Sequence, residues 1–379
     1  MHSRVPFISA ALICKNEEAV IERCLSQISP HVDEIIVCDT GSTDETLNIL
    51  EKISTRNTKL KIFTDYTWNW DFSEARNHCN KKCSGEWILS IDCDSVFEFL
   101  PQDEYPTLET LLKSFEPTVG AVLCFCDWGA FTFRYPKIYR NHQGIYYKNK
   151  FHNVLHTEPE FTLVQTNLVK MYEKRHSSGE KPRKERQQHL INYFKENVEK
   201  DPTDKRSWFY LANTYRDNEM WEKAIDAYKH YLAVGIWPEE LYAALLSLGR
   251  CSLKNRDEDT AISMWHKAID LVPERNECTL ELLLLYKLKG MKRNCKMLEQ
   301  VLNTEIPTDG LFIENHCYGY LPWDILSLIY YKDKDFKKAL ELVEKAIVRG
   351  RDTVSTVVPT PPHLETNKQT FKKLVNSLS

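Results

Sequence analysis

Two carboxylates, Asp92 and Asp94, stand two residues apart where the apolar run Trp87-Ile88-Leu89-Ser90-Ile91 gives out. Alternate residues of a strand point to the same side, so such a pair offers hard oxygen ligands for Mg²⁺ or Mn²⁺, with positions left for water and phosphate oxygens. Three upstream segments also carry polar residues beside an apolar run or a helix start. Phe7 to Cys14 leads into Lys15-Asn16-Glu17-Glu18. Glu34 to Cys38 leads into Asp39-Thr40-Gly41-Ser42-Thr43-Asp44. Asp71-Phe72-Ser73-Glu74-Ala75-Arg76-Asn77 opens a helix that leads to the Asp92 strand. Open α/β sheets bind ligands at the carboxyl ends of their strands, so the four segments read as one nucleotide site. Each also has an ordinary structural role. Asn16 suits a helix N-cap with Glu17 and Glu18 in the first turn, Ser42 with Glu45 and Asp71 with Glu74 fit capping boxes, and Arg76 fits a solvated helix face.

In this order, Asn16-Glu17, Asp39 to Asp44, Ala75-Arg76-Asn77 and Asp92-Cys93-Asp94 resemble the family 2 glycosyltransferases, whose donor domain has the GT-A fold. The resemblance implies an α/β domain with a mixed sheet, a UDP-sugar donor and a divalent cation, Mg²⁺ or Mn²⁺. It implies that Glu17 accepts from ribose hydroxyls, that Asp39 and Asp44 line the nucleobase side, and that Arg76 meets the base or the diphosphate. Asp94 would ligate the metal, with Asp92 directly or through water, and Ala11, Ser42, Asp92 and Cys93 would complete the donor contacts.

The whole chain bounds what such a site serves. Its 379 residues are 42% hydrophobic, enough for two or more cores. Fifty basic against 54 acidic residues give a net charge of -4, which argues against nucleic acid as a partner. No run of eighteen apolar residues occurs and the first strand follows Met1-His2-Ser3-Arg4-Val5-Pro6 directly, so a soluble cytoplasmic protein without a membrane segment is expected. The 12 cysteines contain no C-x-x-C spacing and read as reduced, mostly buried thiols.

Strand-like runs dominate to about Glu173, the charged stretch from Ser177 to Arg186 breaks the pattern, and helical period follows. The later half repeats an aromatic, a Leu with a small residue, a Tyr and an Ala at the offsets of tetratricopeptide helix pairs. Trp208, Leu211-Ala212, Tyr215, Ala224 and Tyr228 fill one copy. Leu248-Gly249, Ala261, Trp265, Ala268 and Pro273 fill the next, a degenerate copy surrounds Leu282, Leu283 and Tyr286, and Trp323, Leu326, Tyr330, Ala339 and Ala346 fill the last. The expected organisation is a donor domain over residues 1–178, all-α repeats over 179–350 and a tail over 351–379. The repeats would grip a peptide or a second copy, making a homodimer.

The acceptor side is sought between the Asp92 strand and the repeats. Lys150-Phe151-His152-Asn153-Val154-Leu155-His156-Thr157-Glu158-Pro159 places two histidines and a carboxylate within seven residues, and His176 follows near the boundary. The segment resembles the F-H-x-x-V-H-E-E-P of peptide S-glycosyltransferases that modify glycosylated bacteriocins, with Thr157 in place of the first acid. By that likeness His152, His156 and Glu158 would shape or activate the acceptor, and His176 would contact metal or diphosphate. The expected activity is inverting transfer of a hexose, glucose foremost, to a cysteine thiol or serine hydroxyl of a precursor peptide. The alternatives are a cell-envelope glycan transferase and a repeat-based binding protein without catalysis.

Overall fold

The strands nearest the candidate site are mostly apolar and buried along almost their whole length, as strands covered on both faces are. In the computed structural model, which describes residues 5–129, 132–141, 144–158, 161–173, 180–303, 305–307, 310–352 and 361–378, these runs form the centre of a mixed sheet. In chain order the elements are β1 (Ile8–Cys14), α1 (Ile21–Ile28), β2 (Glu34–Asp39), α2 (Thr46–Ser54), β3 (Leu60–Phe63), α3 (Phe72–Asn80), β4 (Trp87–Ser90) and β5 (Ser95–Phe99). There follow α4 (Leu108–Lys113), β6 (Val119–Asp127), β7 (Thr132–Arg140), β8 (Ile145–Lys148), β9 (Val154–Thr157) and β10 (Thr162–Glu173).

Eight strands pair in the order β3-β2-β1-β4-β7-β6-β10-β5. The first four are mutually parallel; β7 runs antiparallel to both β4 and β6. The register sets Cys14 beside Asp39 and Ala11 beside both Ile36 and Ser90, so the three loops that leave β1, β2 and β4 emerge together. A separate ribbon pairs β8 with β9, Tyr146 opposite His156. Asn77 of α3 pins it, donating through Nδ2 to the Tyr147 carbonyl and accepting from the Tyr147 N–H, both at 2.8 Å.

The chain folds into two compact units, Met1–Arg183 and Lys184–Ser379. α5 (Glu180–Lys200) precedes four helix pairs: α6 (Lys205–Asp217) with α7 (Trp221–Val234), α8 (Pro238–Lys254) with α9 (Glu258–Leu271), α10 (Glu277–Lys289) with α11 (Lys292–Leu298), and α12 (Leu321–Lys332) with α13 (Phe336–Asp352). Most of the repeat residues are core: Leu211, Ala212, Ala224, Tyr228, Ala261, Trp265, Ala268, Leu326, Ala339 and Ala346 are buried, while Trp208, Tyr215 and Tyr330 are half-buried and Pro273 is exposed. Gly249 is required rather than tolerated, because a Cβ there would lie 2.3 Å from Nε1 of Trp265. The degenerate third copy is the pair whose second helix, α11, has only 7 residues.

The stretch read as a tail contains α14 (Pro362–Leu378). It belongs to the helical core: Leu364 and Phe371 are buried, and the Phe371 ring stacks on Tyr331 of α12 at 4.9 Å. Apolar spacing at 364 and 371 is too sparse to reveal this without the surface it covers. Replacing a buried phenylalanine by alanine costs about 3 to 5 kcal/mol. Phe371→Ala should therefore lower the urea midpoint of the helical unit by a loss of that order, measured by far-ultraviolet circular dichroism.

Candidate active site

Four carboxylates, those of Glu17, Asp44, Asp92 and Asp94, stand close enough for three of them to act electrostatically on Glu17. The loops that carry Glu17 and Asp44 are tied to each other. Asn16 takes a left-handed backbone, φ 59°; its amide N–H donates to Ser42 Oγ at 2.9 Å and its side-chain oxygen accepts the Thr43 N–H at 2.7 Å. The Glu17 N–H donates to Thr46 Oγ1 at 2.7 Å, and the Glu18 N–H to Asp44 Oδ2 at 3.2 Å. Asn16 is thus a cross-link between loops and not a cap; α1 begins only at Ile21, without a side-chain cap.

Asp39 is 2% exposed and turned into its own loop, accepting from the Gly41 and Ser42 N–H groups at 2.9 and 2.8 Å and from the Ser42 hydroxyl. Ser42 therefore spends its hydroxyl on Asp39 and Asn16 rather than on a capping box, and α2 opens without a side-chain cap. Asp44 accepts from Thr46 and Glu18; burial pushes its pKa up, but these hydrogen bonds outweigh it and hold it below the ordinary value. Ala11 is packed in the core beside Ile36 and Cys79. The Cys93 thiol is buried and directed at the Ile13 carbonyl, 3.6 Å away. Ala11, Asp39, Ser42 and Cys93 thus shape the loop frame with their side chains.

Asp71 caps α3, accepting the Glu74 N–H at 2.9 Å, while the Glu74 carboxylate accepts from Asn69 instead of closing a box. That cap starts the helix that delivers Arg76. The chain turns at Cys93 and Asp94, with the Ser95 N–H donating to the Asp92 carbonyl at 3.0 Å, so the strand alternation expected for Asp92 and Asp94 does not apply. Asp92 accepts from Arg76 Nη2 through Oδ1 at 2.5 Å and from Lys137 Nζ of β7 through Oδ2 at 3.1 Å. Burial favours its neutral form, but the two cations prevail and hold its carboxyl well below the usual range.

Asp94 has no ion pair among the described residues; Arg23 of α1 donates to its backbone carbonyl at 2.9 Å. Burial and then the Asp92 charge raise its pKa. Glu17 goes further: burial, followed by Asp94, Asp44 and Asp92, pushes it up to about 7. Two half-buried carboxylates that repel their neighbours are a fitting donor set for a hard cation. Asp92 contributes less to such a set than its motif suggests, since each of its oxygens already faces a cation. His176 lies outside the described residues. Three ligating atoms within 4.8 Å of one another occur, among the described residues, only at Glu314, His316 and Cys317. There Arg250 binds both Glu314 oxygens, and burial pushes the Cys317 thiol far up, so that group does not suit a metal.

At the ribbon, His156 Nε2 lies 2.8 Å from Glu158 Oε1, with Lys148 Nζ 3.7 Å from the same oxygen. The hydrogen bond from His156 and then the Lys148 charge lower the Glu158 pKa. His156 packs edge-on against Tyr146 at 5.2 Å. His152 is exposed, in a left-handed backbone with φ 48°. No sequence motif marks Lys137 or Arg23. A register shift in β7 falls at Lys137, between Ile138 opposite Val122 and Pro136 opposite Leu123, so strand alternation in the sequence gives no signal for it.

Residues 9–170 match the family model described as glycosyl transferase family 2. The SPbeta prophage-derived glycosyltransferase SunS of Bacillus subtilis strain 168 is 26% identical over 238 residues, covering 60% of this chain and 53% of that protein. A TPR repeat-containing protein of Synechococcus elongatus is 31% identical over 150 residues, covering 39% of this chain and 35% of that one. The chain thus spans about half the length, or less, of these curated relatives. The crystal structure of S. aureus TarS 1-349 in complex with UDP-GlcNAc aligns over 67% of this chain and 89% of that one at 18% identity, with a TM-score of 0.37.

Glu17 gives a pH signature. Its folded pKa of about 7 exceeds the unfolded value of 4.5, so the folded state keeps a proton that the unfolded state has lost between those pH values, and stability falls as pH rises from 4.5 to 7. Solvent screening reduces the full linkage to on the order of 1 kcal/mol. Without divalent cations, Glu17→Gln should therefore unfold at a higher temperature than the parent at pH 8 and at the same temperature at pH 4, by calorimetry.

Proposed function

We propose that this chain, in which residues 9–170 match the family 2 glycosyl transferase model and paired helices follow, transfers a hexose, glucose foremost, from a UDP-sugar to a cysteine thiol or serine hydroxyl of a bacteriocin precursor peptide, with inversion. The observation that carries the reading is the meeting of Glu17, Asp44, Asp92 and Asp94 with Arg76 where the loops from β1, β2 and β4 emerge. Carboxylates accept from sugar hydroxyls, and a guanidinium held by a carboxylate donates to phosphate oxygens. The likeness to the glycosyltransferase SunS supports sugar transfer, and the F-H-N-V-L-H-T-E-P segment, by its resemblance to that of peptide S-glycosyltransferases, supports a peptide acceptor.

Asp94, with Asp92 through water, would hold Mg²⁺ or Mn²⁺, which when bound neutralises charge on the departing diphosphate as a Lewis acid. The chain's own groups do the rest. Asp39, Asn16 and Ser42 lock the loop that presents Asp44, so the donor meets a frame already in place. With His156 Nε2–H donating to Glu158, Nδ1 is left to accept the acceptor's proton as sulfur or oxygen attacks the anomeric carbon from the side opposite the diphosphate. A thiol, with an ordinary pKa of about 8.5, asks less of that base than a hydroxyl does. No described helix is long and apolar enough to cross a membrane, and all 12 cysteines are free and buried, which supports a cytoplasmic, reducing setting.

The test is intact-mass analysis of cysteine- and serine-containing precursor peptides incubated with the protein, Mg²⁺ or Mn²⁺ and a panel of UDP-sugars. The expected result is a gain of a single hexose that disappears with EDTA and with Asp94→Ala. His156→Ala should slow it by about a hundredfold, the size of a lost general base. Release of UDP without any modified peptide would move the acceptor to envelope glycans.

A further inference from the structure

Arg76 and Lys137 present a charge imbalance that Asp92 alone does not remove. Their side chains are 13% and 14% exposed, so both cations have lost most of their water. Each takes one oxygen of the same carboxylate, so two positive charges share a single negative one and repel each other. Ser90 Oγ, 3.3 Å from Arg76 Nη1, the ring faces of Tyr147 and Tyr135, each 5.6 Å from Arg76 and Lys137 respectively, and the nearby Asp94 carboxylate, which interacts with Lys137 without pairing with it, supply only partial compensation. An ammonium has three donors, and among the described residues Asp92 is the acceptor that Lys137 meets. The shared carboxylate is itself 39% exposed, so the group opens to solvent at its anionic end. A structural ion pair has the opposite need: one cation for each buried carboxylate, with both partners saturated.

We propose that Lys137 is, with Arg76, a donor-binding cation that grips the diphosphate of the nucleotide sugar, while Asp92 holds the pair in place until that anion arrives. This rests on the glycosyltransferase reading and narrows it: the site is built for a diphosphate, and one of its determinants comes from β7, outside the motifs that mark β1, β2, α3 and β4. Without these cations, Glu17, Asp44 and Asp94 would repel a diphosphate entering the same mouth. Lysine serves here as a point charge and arginine as a planar fork, so the two divide the recognition of adjacent phosphate oxygens.

The experiment compares calorimetric binding of UDP and UMP, in Mg²⁺, to the full chain and to its Lys137→Met, Lys137→Gln and Lys137→Arg variants, with thermal unfolding of each unliganded protein. Lys137→Met and Lys137→Gln should bind UDP at least tenfold more weakly with UMP affinity changed less than threefold, and Lys137→Arg should recover most of the UDP affinity. Equal UDP binding by parent and Lys137→Gln, or an equal loss of UDP and UMP, would overturn the assignment while leaving the transferase reading intact. Lys137→Gln keeps a donor for Asp92 and serves if Lys137→Met does not fold. Absence of binding to any of UDP, GDP, CDP and ADP by the unaltered chain would overturn both.

Discussion

One carboxylate shared by two half-buried cations organises the candidate site. Asp92 joins the turn after β4 to Arg76 on α3 and to Lys137 on β7, three elements far apart in the chain. Charges removed from water are stable only where opposite charge and hydrogen bonds compensate them, so these elements are held at the distances the pairings require. α3 is fixed a second time, through Asn77 to the β8 ribbon, which places the residues on the proposed acceptor side in a structure continuous with Arg76.

The acidic residues that look alike in the sequence divide into two classes. Asp39 and Asp44 accept backbone N–H groups and build the turn after β2. Among the described residues, Glu17 and Asp94 take no such bonds from a neighbouring loop, and burial followed by the like charges around them raises both pKa values. A site that keeps unrelieved negative charge in this way attracts cations and hydroxyl donors. The first class makes the second possible, since without a rigid turn the repelling carboxylates would move apart.

The helical unit is held by a different device. Arg275, 1% exposed, donates to Glu277 and to Glu239, while its carbonyl partners Leu311 and Phe312 lie in the irregular segment before α12. This fastens a segment with little helical period to α8 and α10. The repeat spacing in the sequence locates helices but contains no sign of such a fastening, because Arg275 and Glu239 are 36 residues apart and would each suit an exposed position.

Local pattern determined the elements. Apolar runs made the central strands, the offsets of Trp, Ala and Tyr made the helix pairs, and Asp71 made the start of α3, because strand burial, helix packing and capping act over a few residues and leave their period in the chain. The grouping of Glu17, Asp44, Arg76, Asp92 and Asp94 was likewise legible, since each follows or opens such an element. Which partner each side chain takes was decided only by the tertiary structure. Asn16 became a link between loops instead of a cap, Ser42 served Asp39, Asp92 faced Arg76 and Lys137, and Phe371 turned a presumed tail into core. A carboxylate or an asparagine has the same bonding capacity in any loop, and what it bonds is settled by which strands lie side by side.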